Sequence, residues 1–138
     1  MSAEFVDTNV LVYAYDPTTP HKHEQARALV GRLWESGDGV LSIQVLQEFF
    51  WTITRKVPKP VSPSQAVDLV AEFATWNVYE PAMEDVISAA RLSARRRLSF
   101  WDAMIVQTAI ASGAELLWTE DLAAGTKFDA LIIRTPFA

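Results

Sequence analysis

Short apolar runs alternate with longer stretches of helical periodicity along this chain, and that alternation leaves few folds open. Glu4-Phe-Val, Val40-Leu41, Asn77-Val-Tyr-Glu, Leu116-Leu-Trp-Thr and Leu131-Ile-Ile-Arg read as strands. Between them the pattern predicts helices over Val10–Tyr15, His21–Ser36, Ser42 (as a cap) to about Val57, Ser64–Trp76, Met83–Arg97 and Trp101–Ser112. In the second, Ala26, Leu29, Val30 and Leu33 recur at helical spacing, and Gly37-Asp-Gly stops the run. Gly113 falls at the C′ position of the last. Lys56 to Pro63 is Pro-rich but too short for a domain linker, so it reads as an interhelical loop. Strands that alternate with helices imply an α/β fold whose mostly parallel sheet is covered on both faces.

The 138 residues suit a single domain, residues 1–138, with a sizeable core. A hydrophobic content of 50% with 21% charged residues is ordinary for a globular chain, which argues against disorder. No run of ~18 apolar residues exists, and the N-terminus lacks a basic segment followed by an apolar one, so neither a membrane span nor export is expected. The absence of cysteine removes disulfides, thiolate nucleophiles and Cys-ligated zinc together, and fits a reducing cytoplasm. A net charge of −5 argues at first against a nucleic-acid partner, but the total misleads if bound dications neutralise several acids.

Four acids stand where the chain turns from strand to helix or opens a helix. They are Asp7 in Glu4-Phe-Val-Asp-Thr-Asn-Val, Glu48 in Val45-Leu-Gln-Glu-Phe-Phe-Trp, Asp102 in Ser99-Phe-Trp-Asp-Ala, and Asp121 in Trp118-Thr-Glu-Asp-Leu. In α/β folds, ligands collect at the carboxyl ends of the strands, so one sheet edge could gather all four. Each also has a structural reading. Asp102 completes a Ser99-x-x-Asp variant of the capping box, and Asp7 and Asp121 suit caps or Asx-turns. Glu48 shares a polar stripe with Gln44, Thr52 and Arg55, which is either solvated or lines a cleft. Taken together, the four read as an acidic site that calls for divalent metal, because repelling carboxylates crowded in one place are costly without a cation. All-oxygen donors suit Mg²⁺ or Mn²⁺, and acidic metal sites commonly cut phosphodiesters.

Rival chemistries find little in the chain. There is no P-loop, no Gly-x-Gly-x-x-Gly, and no Asp-x-Asp after the first strand, which weighs against a nucleotide-binding domain or a phosphatase. His21 and His23 lie two residues apart in a polar stretch, pointing to different sides of a helix, and read as a solvated pair.

The four segments resemble the motifs of the PIN-domain nucleases, and among these the VapC-type toxins of toxin–antitoxin pairs. Val6-Asp-Thr-Asn-Val-Leu-Val-Tyr is similar to the first motif, Ser42-x-x-Val-Leu-Gln-Glu-Phe to the second, Ser99-Phe-Trp-Asp-Ala to the third and Thr119-Glu-Asp-Leu to the fourth. Thr135-Pro-Phe echoes the family's terminal segment. The resemblance implies a three-layer α/β/α sandwich with a central, mostly parallel sheet. It also implies an endoribonuclease dependent on Mg²⁺ or Mn²⁺, cutting tRNA, rRNA or mRNA, and held in check by a cognate antitoxin protein. By motif, Asp7, Glu48, Asp102 and Asp121 carry the reaction, with Asp7 and Asp102 on the metal and Asn9 and Thr119 in support. Glu48 is expected to orient or deprotonate the attacking water. Glu120, beside Asp121, leaves open which of the two faces inward. The same resemblance favours a homodimer. A non-catalytic RNA- or protein-binding domain on this fold is the alternative reading.

The remaining signals are the arginines and the tryptophans. Arg91, Arg95, Arg96 and Arg97 end the helix before Asp102; Arg95 and Arg96 are the candidates for contacting RNA phosphates, against a reading as solvated charges at a helix C-terminus. Of five tryptophans, Trp101 and Trp118 are expected in the core. Trp34, Trp51 and Trp76 lie on helical stretches, where core packing competes with an interface to a second copy or to an antitoxin.

Overall fold

A computed structural model describes residues 2–137. Six strands form one sheet in the order β3-β2-β1-β4-β6-β5. They are β1 (Glu4–Val6), β2 (Gly39–Ser42), β3 (Asn77–Tyr79), β4 (Leu116–Trp118), β5 (Lys127–Phe128) and β6 (Leu131–Arg134). All neighbours are parallel except β5, which runs antiparallel to β6 with Phe128 opposite Leu131. The helices are α1 (Thr8–Tyr13), α2 (Pro20–Ser36), α3 (Ile43–Arg55), α4 (Pro63–Phe73), α5 (Met83–Arg96) and α6 (Phe100–Ala111).

The order of strands fixes where the helices go. From β1 the chain steps outward to β2 and then β3; from β3 it crosses back over β1 to β4. Right-handed crossovers in opposite directions put α1–α4 on one face and α5–α6 on the other. Contacts agree: α1 packs on α2 and α3, α3 on α4, and α5 on α6. The expected α/β sandwich is therefore present, and its switch point lies between β1 and β4. Central β1 is buried at every residue, and Phe5, Leu41, Phe49, Phe73, Leu117 and Ile133 lie fully inside one continuous core.

Local chemistry sets most boundaries where the sequence puts them. Ser42 accepts from the Val45 amide and starts α3; Ser99 accepts from the Asp102 amide and starts α6. Gly37 and Gly113 take φ of 76° and 82°, the left-handed conformation that ends α2 and follows α6. Gly39 has a different task, since a Cβ there would run into the Trp76 ring. Several expectations shift, among them the ends of α1, at Tyr13 rather than Tyr15, and of α3, at Arg55 rather than Val57. Helix α1 begins at Thr8 rather than Val10, because Asp7 caps it by accepting from the Thr8 amide. Helix α4 ends at Phe73, three residues before Trp76. The two-residue β5 carries too little pattern to register in the sequence.

Candidate functional site

The carboxyl ends of β1 and β4 open onto a cavity of about 690 Å³, and all four acids line it. Asp7 follows β1 and Asp121 follows the β4 end, while Glu48 comes from the second turn of α3 and Asp102 from the first turn of α6. Since α3 and α6 lie on opposite faces of the sheet, both helical layers contribute an acid to the same cleft.

Asp7 is the deepest of the four, at 5% exposure. Its Oδ1 accepts from the Thr8 amide at 2.7 Å and its Oδ2 from the Thr119 hydroxyl at 2.8 Å. Burial nevertheless pushes its carboxyl up to about 7, and the charges of Asp121 and Glu48 add to the rise. Capping and site roles therefore coexist in one residue. Asp121 is exposed over the residue as a whole, yet partial burial of its carboxyl raises its pKa, helped by Asp102, Glu120 and Glu48 and opposed by Asn9. Asp7 and Asp121 thus each feel other acids of the set.

Side-chain bonds select the orientations. The Thr8 hydroxyl donates to Glu48 Oε1 at 2.6 Å, tying α1 to α3, and Gln44 Nε2 reaches Glu48 Oε2 at 3.3 Å. Of Glu48's polar stripe, Gln44 and Thr52 line the cavity, whereas Arg55 lies over the Trp51 ring, 4.0 Å from its centroid. The Asp102 amide is used by Ser99, but its carboxylate makes no hydrogen bond among the described residues and is left to the cavity. Glu120 accepts from Tyr13 Oη at 3.0 Å and pairs with Lys22 Nζ at 2.7 Å, which ties it down in the cavity it lines together with Asp121. Thr119 is fully buried, and its Oγ1 both serves Asp7 and accepts from the Asp121 amide at 3.1 Å.

Whether these residues suit a cation can be judged from their own chemistry. Asn9 is buried beside Asp121, where its amide lowers that carboxyl's pKa, yet neither amide atom completes a well-formed hydrogen bond among the described residues. Repelling carboxylates around a loosely held buried amide are an arrangement that a hydrated cation would relieve. The donors are oxygens throughout, as Mg²⁺ and Mn²⁺ prefer. Among the described residues, however, no three His, Asp or Glu side chains gather closely enough to hold an ion unaided. The set fits an ion whose shell is completed largely by water, as Mg²⁺ commonly requires.

One expectation about the surroundings needs correction. Trp101 is not in the core but 63% exposed: it stands in the opening turn of α6, at the cavity, while Met104 and Ile105 one turn on along the same face are buried. Arg95 and Arg96 are not among the residues that line the acidic cavity. They line a separate cavity with Arg91 and Gln107, and Arg96 stacks over Phe128 at 4.4 Å. The cation that does line the acidic cleft is Lys56. Trp118 is half-buried, donating from Nε1 to Glu4 at 2.9 Å. His23 holds the Tyr13 carbonyl through Nδ1 and His21 is exposed, so neither faces the cleft. Thr8, Tyr13 and Lys22 escaped the sequence reading, and Trp51 entered it only as a core or interface residue, although Thr8 lay within the first motif and its polar side chain beside Asp7 was the available signal.

Solved structures match this geometry in fold. VapC20 of Mycobacterium tuberculosis, a sarcin-ricin-loop-cleaving toxin, is 20% identical with a TM-score of 0.64, over 83% of this chain and 87% of that one. A toxin–antitoxin complex from Klebsiella pneumoniae is 19% identical with a TM-score of 0.70, over 98% of each chain. DNA-bound VapBC from Salmonella typhimurium is 17% identical with a TM-score of 0.67, over 99% of each. No curated protein sequence matches the chain. No helix among the described residues is long and apolar enough to cross a membrane. Residues 5–125 match the PIN domain family, and with the fold and the four ordered segments in place, the chain belongs to that family.

Proposed function

We propose that this PIN domain, taken as the single unit 1–138, is a metal-dependent endoribonuclease and the toxin of a toxin–antitoxin pair. The observation that carries the reading is the convergence of Asp7, Glu48, Asp102 and Asp121, from four separated segments, on one cavity. Asp7 and Asp102 would hold Mg²⁺ or Mn²⁺, with Asp121 completing the shell through water. The ion, when bound, supplies charge to offset the phosphoryl oxygens and makes water a better nucleophile. Glu48, fixed by Thr8 and Gln44, takes the proton of the attacking water or orients it. Thr119 holds Asp7 in one rotamer, and Lys22 keeps Glu120 out of the way.

The toxin assignment rests on the motifs and on likeness to VapC and VapBC structures, and it brings a cognate antitoxin, a homodimer and a cytoplasmic RNA target as proposed corollaries. One observation favours a non-catalytic RNA- or protein-binding domain instead: no three acids are close enough to grip an ion by themselves. Against it, a domain without chemistry to perform has no use for a buried carboxyl pushed up to about 7 beside other acids.

The test is cleavage of end-labelled tRNA, rRNA and mRNA fragments, with Mg²⁺ or Mn²⁺ and with EDTA. Cleavage should require the ion and be abolished by Asp7→Asn or Asp102→Asn. Undiminished metal-dependent cleavage by either folded variant would overturn the assignment.

A further inference from the structure

Two indoles stand unburied at the acidic cleft. Trp51 is 49% exposed on α3 and Trp101 is 63% exposed on α6, and both line the cavity that holds the acids. Their positions follow from those of the acids. Trp51 lies one helical turn beyond Glu48, and Trp101 directly precedes Asp102. Because α3 and α6 occupy opposite faces of the sheet, the two indoles reach the cavity from different helical layers.

Two exposed indoles that line one cavity form a shared aromatic surface there, which is informative where a single exposed ring is not. Trp101 meets Phe100 edge-on, with centroids 5.1 Å apart, and the Arg55 guanidinium lies over the Trp51 ring, 4.0 Å from its centroid. Trp51 thus carries a cation over one face, and Lys56 lines the same cavity. Flat aromatic faces with adjacent cations are what unpaired nucleotides use, the bases stacking while the phosphates meet positive charge. A paired stem cannot offer its bases in this way.

Resting on the nuclease reading, we infer that Trp51 and Trp101 are base-stacking platforms that seat the nucleotides flanking the scissile phosphate. The adjacent cations place the ribose-phosphate chain across the cleft, and the indoles set which phosphate faces the acids.

The experiment uses the full chain carrying Glu48→Gln, so that RNA stays intact in Mg²⁺. Three fluorescein-labelled probes of equal length are titrated: an unpaired RNA, the same RNA with abasic central positions, and a duplex. Anisotropy and quenching of tryptophan emission are both read. The unpaired RNA should bind and quench, with Trp51→Ala and Trp101→Ala each weakening it by about fivefold to a hundredfold. Phe at either position should restore most of the affinity, and the abasic probe should bind weakly to every form. Circular dichroism checks the fold of each variant. Binding of the unpaired RNA that is indifferent to both Ala substitutions, or equal affinity for the abasic probe, overturns the inference while leaving the nuclease reading intact. If the parent binds no RNA at all, the nuclease reading falls and takes this with it. Loss of self-association by sedimentation velocity, with RNA affinity unchanged, would make the indoles a protein interface and also overturn it.

Discussion

The Thr119 hydroxyl donates to Asp7 Oδ2 at 2.8 Å, joining the ends of β1 and β4 at the point where the chain reverses its direction of travel across the sheet. Both side chains are buried, so the bond has no competing water and fixes the deepest acid of the cleft. Thr119→Val keeps the shape and removes the donor. That hydrogen bond works against the burial that raises the Asp7 pKa, so its loss should push the carboxyl higher still. Stability should fall by about 1–2 kcal/mol. The pH midpoint for Mn²⁺ binding should move to more alkaline values, read by titration calorimetry across pH 5.5–9, a range of roughly two pH units either side of the Asp7 carboxyl.

Asp7 itself should make the metal-free protein pH-sensitive. Its folded pKa of about 7 lies above the ordinary 3.8, so the folded state holds this proton more tightly than the unfolded chain does. The sign is that stability falls as pH rises from about 4 to about 7, by on the order of 4 kcal/mol at most. Asp7→Asn should remove that dependence. Without metal it should melt higher than the parent at pH 8, with the gap closing near pH 4. Equal melting temperatures at pH 8 in EDTA would contradict the assignment.

Glu4 has the opposite sign. It is buried, and Arg32 grips it with two bonds of 2.8 and 3.0 Å while Trp118 donates a third. The Arg32 guanidinium holds its carboxyl below the usual range despite burial. The stability it gives is present above the unfolded pKa, near 4.5, and is lost as pH falls through the lowered folded value. Arg32→Ala leaves a buried charge unmatched. It should cost about 2 kcal/mol at pH 7, less than a fully buried pair because Arg32 is 51% exposed. Urea denaturation at pH 7 and pH 3 should show the cost shrinking at the lower pH.

Thr8→Val separates orientation from metal binding. It breaks the 2.6 Å bond to Glu48 while leaving the backbone amide that caps onto Asp7. RNA cleavage should drop about tenfold or more, with Mn²⁺ affinity nearly unchanged. A parallel fall in both would place Glu48 on the metal.

Much of this site was legible because its acids announce themselves locally. Asp7, Glu48 and Asp102 each sit among apolar residues near a cap, a pattern that period and capping rules expose. The choice between Glu120 and Asp121 was not legible, since it depends on Lys22 and Tyr13, about a hundred residues away in the chain. Trp101 was misplaced for a related reason. An indole suits a core, and the face of α6 that carries it is buried one turn on at Met104 and Ile105; what leaves Trp101 out is its place in the opening turn beside the cavity. Arg95 and Arg96 are near Asp102 in sequence, but the left-handed turn at Arg97, φ 55°, lies between α5 and α6 and the two arginines line a different cavity.

The central claim is that four distant acids form one cation-binding pocket. Titration calorimetry of the metal-free chain with Mn²⁺ at pH 7.5 tests it without any RNA. Heat of binding should appear for the parent with proton release from Asp7, and should vanish in Asp102→Asn. No manganese uptake by the parent, or undiminished uptake by that variant, would contradict the account.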